Sequence, residues 1–342
     1  MLNYFIRRFL LVIPTFLVAT MVVFAVLQYT PGGPFEQIEM QMKQRMMSGE
    51  ASGGGGGLNS KGDIQIPEQA KEELMKYFNL DKPVPIRYLH WLGNIATGDF
   101  GTSYIYSEPV LTVVTSRFPV SIFYGVIGFV LTYLVCIPLG IMKAVKHSST
   151  FDVTSSAIVF VGYSIPGWAL GAVLLVTLGG TYFPLGEFRS SGWEYMSTWD
   201  KIMDQLHHAV LPLCAYMIGN FATLTILMKN SLLENLGQDY VRTAFAKGLT
   251  ERRVIFVHAL RNSLIPIATG LGGLLGVIFA GSFLIEKVFN INGLGLVGYR
   301  AVVERDYAVV MGTLVFGLAI QLTGNIFSDM LYVIIDPRIK FR

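Results

Sequence analysis

Residues 120–142 read VSIFYGVIGFVLTYLVCIPLGIM, an apolar run without Asp, Glu, Lys, Arg or His. A helix of roughly 20 predominantly apolar residues is long enough to cross the hydrocarbon core of a bilayer. Five further runs of this kind extend from about Leu10 to Gln28, Val153 to Gly180, Ala209 to Met228, Leu264 to Ile285 and Ala308 to Phe327. The sequence therefore predicts an all-α polytopic membrane protein with six transmembrane helices, the third interrupted by Pro166 and Gly167.

The composition excludes several classes of protein. Only 14% of the 342 residues are charged, against about 25% in soluble domains, and the net charge is only +3. These values argue against a disordered chain, a nucleic-acid binder or an ordinary soluble enzyme. The predicted spans contain no Lys, Arg, Asp, Glu or His, which disfavours a proton-driven mechanism.

Motifs for chemistry within the chain are missing as well. No Gly-Lys dipeptide occurs, so a Gly-x-x-x-x-Gly-Lys-Ser/Thr phosphate-binding loop is excluded, and no His-Glu-x-x-His or Gly-x-Ser-x-Gly pattern occurs. We therefore expect no metal site, no cofactor in this chain and no enzymatic activity of its own. Uphill transport would need another chain to supply the energy.

The distribution of Lys and Arg predicts the orientation. With an inside N-terminus, the inside segments carry 13 Lys and Arg residues, whereas the two short outside loops carry 5. Positive charge concentrates in short cytoplasmic loops. We therefore expect the protein to lie in a bacterial-type inner membrane, with both termini in the cytoplasm. Arg7 and Arg8 precede an apolar run without a small-x-small cleavage pattern, which favours an uncleaved first helix.

The predicted organisation has four parts: an N-terminal transmembrane helix (1–30), an extracytoplasmic segment (31–119), a transmembrane domain (120–335) and a cytoplasmic tail (336–342). The extracytoplasmic segment contains a Gly-rich linker at 52–57, after a Met-rich, charged stretch, and the linker is interpreted as a tolerated insertion. After it, we predict a helix over Glu68–Phe78, a rigid extended stretch over Leu80–Pro85 and an amphipathic helix over Tyr88–Ile95. A turn over Gly98–Ser103 then leads into Pro109–Phe118. This segment could cover the outer mouth, receive a soluble partner or be inert packing.

The loop between the fourth and fifth spans, residues 230–263, predicts two short helices on the cytoplasmic surface. Thr243, Ala244 and Ala246 are small enough for close helix approach. Gly248 suits the end of a helix, and Thr250 suits the start of the next. The physical alternative is a basic hairpin at the membrane surface that only satisfies the positive-inside rule.

The sequence resembles the permease subunits of binding-protein-dependent ABC importers, in the dipeptide, oligopeptide and nickel permease family. The loop carries the family pattern as Arg242-Thr243-Ala244-x-x-x-Gly248, followed by Arg253, His258-Ala259-Leu260 and Pro266. Other matching motifs run through the whole chain in the family's order: Pro31-Gly32-Gly33-Pro34, Asp99-Phe100-Gly101-x-Ser103, Glu286-x-Val288-Phe289, Gly293-Leu294-Gly295, Asp306-Tyr307 and Asp336-Pro337-Arg338. Lys143-Ala144-Val145-Lys146 and Phe289-Asn290-Ile291-Asn292 resemble the branch for oligopeptides and microcin C-type peptides.

The resemblance implies a type I ABC importer permease fold and a peptide-translocating subunit of the inner membrane. It implies that residues 240–266 couple the chain to a separate ATPase. The coupling residues would be Arg242, Thr243, Ala244, Ala246, Lys247, Gly248, Arg253 and Pro266. It also implies a second homologous permease subunit, two cytoplasmic ATPase domains that bind the ATP, and an extracytoplasmic substrate-binding protein that could dock on residues 67–118.

Two other hypotheses stay open at the sequence level. One is a stand-alone channel or secondary carrier, and the other is a membrane scaffold whose basic hairpin binds lipid headgroups. Ser164, Trp168, Asn220 and Thr223 are polar or aromatic positions within spans that could face a translocation pathway. Interhelical hydrogen bonding and packing is the favoured explanation of all four. Cys136 and Cys214 are interpreted as small packing residues.

Overall fold

The computed structural model describes residues 2–30, 82–268 and 282–335. These residues form helices and two isolated β-bridges, and no strand occurs among them, so the all-α prediction is confirmed. The helices are α1 (Leu2–Tyr29), α2 (Val84–Ala96), α3 (Val110–Thr115), α4 (Phe118–Val145), α5 (Thr150–Ser164), α6 (Gly167–Leu178), α7 (Thr198–Leu236), α8 (Asp239–Ala246), α9 (Glu251–Arg253), α10 (Leu260–Ser263), α11 (Phe283–Val288), α12 (Leu294–Val303) and α13 (Tyr307–Ile335).

Four helical segments of the described residues are long and apolar enough to cross a membrane. They are α1, α7, α13 and a longer stretch that contains α4. They contain the first, second, fourth and sixth predicted spans. The fifth predicted span, Leu264–Ile285, lies mostly outside the described residues. So do the Gly-rich linker, the helix predicted over Glu68–Phe78 and the tail 336–342.

The third predicted span is two helices, α5 and α6, bent by 93°. Ile165 between them is extended (φ −97°, ψ 120°), as expected for a residue before proline, and Pro166 is the N-cap residue of α6. Glycine at 167 lets α6 approach α7 closely, because a Cβ there would lie 2.4 Å from the Ala215 carbonyl oxygen. The interruption was predicted, but a sharp bend replaces the single interrupted span.

Helix α4 packs along α7, and small residues make the close packing possible. A Cβ on Gly140 would lie 2.6 Å from Cβ of Met228 and 2.8 Å from the Thr225 carbonyl oxygen. Cys136 is fully buried in the same cluster, which agrees with its predicted packing role. Cys214 is exposed on α7, so the packing interpretation is wrong for it within this chain.

The described chain divides into two compact units. The first comprises residues 2–11, 117–268, 282–297 and 317–335, and the second comprises residues 12–30, 82–116 and 298–316. The first unit contains α4 to α11 and the predicted coupling loop. The second contains most of α1, the described part of the predicted extracytoplasmic segment and the start of α13.

In the second unit, α2 packs against α1 through Tyr88. Its hydroxyl donates to the Leu17 carbonyl (3.0 Å) and lies 3.0 Å from Thr20 Oγ1, and its ring meets Phe24 edge-on. Helix α2 begins at Val84 after Pro83. The extended stretch predicted over Leu80–Pro85 is therefore wrong for Val84 and Pro85, because prolines are tolerated in a first helical turn.

Candidate coupling site

The candidate site is the turn between α8 and α9. Helix α8 is amphipathic: Val241 and Ala244 are buried, whereas Arg242 and Thr243 are exposed. The buried pair packs into the core cluster formed by α4 and α7. Ala244 thus fixes α8 to the protein and has too little exposed surface to meet a partner.

Past the end of α8, the chain turns at Gly248 with φ +79°, a left-handed conformation that favours glycine. Its N–H donates to the Phe245 carbonyl (2.9 Å), and the Leu249 N–H donates to the Ala244 carbonyl (3.3 Å). A Cβ at Gly248 would meet open space, so the turn is exposed. The predicted glycine helix terminus is confirmed. The geometry offers a short, exposed turn closed by two backbone hydrogen bonds.

Thr250 starts the next helix, as predicted, since its carbonyl accepts from the Val254 N–H (3.0 Å). Its hydroxyl makes no capping hydrogen bond, so only the backbone role was predicted correctly. The second helix is irregular: α9 continues into π-helical turns over Val254–Ala259 and then into α10. Val254 and Ala259 are fully buried, which anchors this half of the loop.

The residues that the sequence assigned to coupling differ in their exposure. Six of them are exposed: Arg242, Thr243, Ala246, Lys247, Gly248 and Arg253. Ala244 is buried and Pro266 is partly buried. Pro266 follows α10, beyond the exposed turn in sequence. An exposed surface at this site therefore consists of the outer face of α8, the Gly248 turn and the start of α9.

A serine pair, which sequence reasoning missed, fastens the loop to α7. The Ser231 hydroxyl donates to the Ser263 carbonyl (2.9 Å), and the Ser263 hydroxyl lies 3.3 Å from the Ser231 carbonyl and 2.8 Å from that of Ala259. Both serines are buried. These hydrogen bonds join the loop directly to α7.

Beside this anchor, a buried ion cluster joins α4, α5 and α7. Lys143 is 1% exposed and donates to the Asp152 carbonyl (3.0 Å) and to the Ser155 and Ser156 hydroxyls. Lys229 donates to both carboxylate oxygens of Asp152, at 2.8 and 2.7 Å. The pairing of these two lysines with Asp152 was not predicted from sequence.

Two buried carboxylates explain motifs that carried the resemblance. Glu286 accepts from the Leu296 N–H (2.6 Å), and Ser121 Oγ accepts from the Leu294 N–H (2.9 Å), so side chains cap the first turn of α12. Gly293 is required because a Cβ there would lie 2.6 Å from the Glu286 carboxylate. The carboxylate and the glycine motif thus form one structural unit.

The second carboxylate, Asp306, lies in the second unit and is 1% exposed. Its Oδ1 accepts from the Val309 N–H (3.2 Å) and caps α13. Its Oδ2 accepts from the Ser103 hydroxyl and from the Ile105 N–H (3.2 Å). The Asp99-to-Ser103 and Asp306 motifs, about 200 residues apart in sequence, therefore meet.

The described helices and the loop define a multi-spanning helical membrane protein with an exposed turn that stands on buried residues. The chain belongs to the family of binding-protein-dependent transport system inner membrane components, whose pattern matches residues 136–341. It is thus a multi-pass inner-membrane transport component of the type I permease fold, working with a substrate-binding protein and an ATPase.

Relatives of the chain match it along its full length. It is 38% identical to the peptidoglycan transport system permease protein YejB of Agrobacterium fabrum, over 99% of this chain and 98% of that protein. It is 33% identical to the oligopeptide transport system permease protein AppB of Bacillus subtilis, over 100% of both chains. The dipeptide transport system permease protein DppB of Escherichia coli is also 33% identical, over 100% of both.

Proposed function

We propose that this chain is the permease subunit of an ATP-driven importer of peptides or peptide-like compounds. Three relatives that match it over nearly their full length carry names of peptidoglycan, oligopeptide and dipeptide transport. Two of these names specify peptides, and peptidoglycan contains peptide. Peptide or peptide-like cargo is the substrate class that these names share.

The observation that carries the proposal is the exposed Gly248 turn on a buried base. Arg242, Thr243 and Lys247 present an exposed polar surface beside it, together with the small residue Ala246, and Arg253 extends this surface. In our proposal a separate ATPase binds here and supplies the ATP. Ala244 and Pro266 position the surface from inside the protein and make no contact with the ATPase.

The proposed complex contains this chain, a second homologous permease subunit, two ATPase domains and an extracytoplasmic binding protein. Both termini and the coupling turn face the cytoplasm, in line with the distribution of basic residues. The chain itself binds no nucleotide, consistent with a sequence without a phosphate-binding loop.

The test is affinity purification of the tagged chain from solubilised native membranes, followed by peptide uptake in proteoliposomes. The proposal predicts co-purification of a homologous permease and an ATPase, and uptake that requires ATP and the binding protein. A chain purified alone that transports peptide without ATP would establish the alternative, a stand-alone carrier. Salt-sensitive binding to anionic vesicles without uptake would establish the scaffold.

A further inference from the structure

The loop between α6 and α7 is fastened to the first part of α7 by a compact set of polar groups. Ser190 lies in the loop, and Asp204 and His208 lie one helical turn apart on α7. The side chains of Asp204 and His208 are only 14% and 6% exposed, and Asp204 Oδ1 lies 3.6 Å from His208 Nε2. The segment 186–190, together with these two side chains, is called the loop latch below.

Both ring nitrogens of His208 face oxygen atoms of the loop. Nδ1 lies 2.9 Å from the Gly186 carbonyl oxygen and 3.2 Å from that of Glu187, so Nδ1 carries a proton. Nε2 lies 3.0 Å from Ser190 Oγ. A neutral imidazole has a proton on one nitrogen only, so in that form Nε2 is an acceptor and needs the hydroxyl proton of Ser190.

The hydroxyl proton of Ser190 already has another acceptor. The hydroxyl donates to Asp204 Oδ1, and the Ser190 N–H donates to Asp204 Oδ2 (3.0 Å). Because a hydroxyl has a single proton, a neutral His208 beside an ionised Asp204 leaves one of these two contacts without a proton. A doubly protonated His208 fills both: Nε2–H donates to Ser190 Oγ, whose own proton goes to Asp204.

Asp204 is the other group that could hold the extra proton. Burial would raise the pKa of Asp204, but the hydrogen bonds from Ser190 and the neighbouring His208 and His207 hold it below its ordinary value. Asp204 is therefore a carboxylate at neutral pH, and the extra proton belongs on His208. The latch then contains an ion pair at the spacing (i, i+4) that helices favour.

The other ionisable groups around the latch are exposed or have partners of their own. His207 Nε2 lies 2.8 Å from the Tyr182 carbonyl oxygen, and Glu286 of α11 accepts from α12. The cations of the loop and of the start of α7 lie over the Trp193 ring, and the carboxylates of the loop are exposed: Arg189, Lys201, Glu187 and Glu194. Helix α6 has no ionisable side chain, and α4 presents the ring of Tyr124 to Phe188. Asp204 is thus the charged group that faces His208 in the described part of the chain.

We propose that the loop latch is a pH-sensitive attachment: protonated His208 fastens segment 186–190 to α7, and neutral His208 releases it. Histidine is the side chain whose charge ordinarily changes between about pH 5 and pH 8. As the pH rises through this range, the ion pair with Asp204 is lost and one contact of Ser190 loses its proton. Low pH therefore fixes the loop, and high pH loosens it.

The latch acts beside a second element of the same face of the protein. The Glu187 N–H donates to the Phe289 carbonyl (2.7 Å), so segment 186–190 also contacts the turn after α11. In the proposed orientation this face is extracytoplasmic, so the latch responds to the pH outside the cell. That location rests on the proposed function, whereas the latch itself does not depend on the cargo or on the ATPase.

The test is hydrogen–deuterium exchange of the full chain, purified in detergent with the partners that accompany it, across about pH 5 to pH 8. The measured quantity is the exchange rate of the peptide covering 186–190, divided by the intrinsic rate at each pH. His208→Gln and Asp204→Asn each remove one member of the ion pair. His207→Gln is the matched control, because this adjacent histidine contacts the loop outside the latch, at the Tyr182 carbonyl.

The corrected rate should rise with pH in the unchanged protein and in His207→Gln, and should be high at every pH in His208→Gln and Asp204→Asn. A corrected rate that does not change with pH in the unchanged protein would overturn the inference, as would an equal rise in the His208 variant. If His208→Gln does not accumulate, Asp204→Asn decides in its place. Uptake is not part of this measurement, so a failure of the latch leaves the proposed function standing, and the reverse.

Discussion

Buried side chains that cap or pair across the chain determine much of this fold at the residue scale. Glu286 is 1% exposed and accepts from the first turn of α12. Replacing it with Ala leaves buried N–H groups without an acceptor, and each such group costs about 1–3 kcal/mol. We expect Glu286→Ala to lower the melting temperature of the purified protein clearly, and Glu286→Gln, which keeps an acceptor, to lower it less. Equal stability of both variants and the unchanged protein would contradict this role.

Asp152 provides a second test at this scale, because its carboxylate pairs with both Lys143 and Lys229 in a buried cluster. Removing one partner of a buried ion pair destabilises a protein by about 3–5 kcal/mol. Asp152→Ala should therefore destabilise the detergent-solubilised protein in thermal unfolding. Asp239→Ala is the control, because Asp239 forms an exposed pair with Arg242 and should change stability little. A similar melting temperature for both variants would contradict the account.

Close helix packing determines stability at the element scale. Gly140→Ala forces a Cβ to within 2.6 Å of Met228 and separates α4 from α7. Overpacking of this kind costs about 1–3 kcal/mol. Gly317→Ala in α13 is the matched control, since a Cβ there meets no atom within 4 Å. The first variant should unfold at a lower temperature and the second should not; the reverse order would refute the packing argument.

The elements were predictable from sequence to different degrees. Apolar runs without charge locate α1, α4, α7 and α13, because membrane spans must be long and apolar. The break at Pro166 was visible, but the 93° bend also depends on the close approach to Ala215, which is a tertiary contact. The π-helical turns after α9 carry no local sequence signal.

The sequence predicted the backbone conformation of the candidate site but not which of its residues are buried. Gly248 was identified correctly as a helix terminus because only its local conformation mattered. The burial of Ala244 and the pairing of Ser231 with Ser263 depend on how α7 and the loop pack. Glu286 and Asp306 appeared as motifs, but their partners come from distant residues such as Ser121 and Ser103.

For the whole molecule, we propose that force on the exposed turn reaches the membrane along a short path. The exposed turn at Gly248 stands on Val241 and Ala244, which pack into the core shared with α4 and α7. Ser263 then ties the loop to Ser231 on α7. We therefore expect a push on the turn to reach α7, which begins at Thr198, 50 residues from Gly248 in sequence.

The most direct measurement of this claim is ATP-dependent peptide uptake by assembled transporters that carry Gly248→Asp or Gly192→Asp. The two glycines have the same φ of +79°, and a Cβ at either meets no atom within 4 Å, so the strain of substitution is matched. We predict that Gly248→Asp abolishes uptake while the chain still inserts and folds, and that Gly192→Asp leaves uptake near normal. Normal uptake by the Gly248 variant, or equal loss in both, would contradict coupling through this turn.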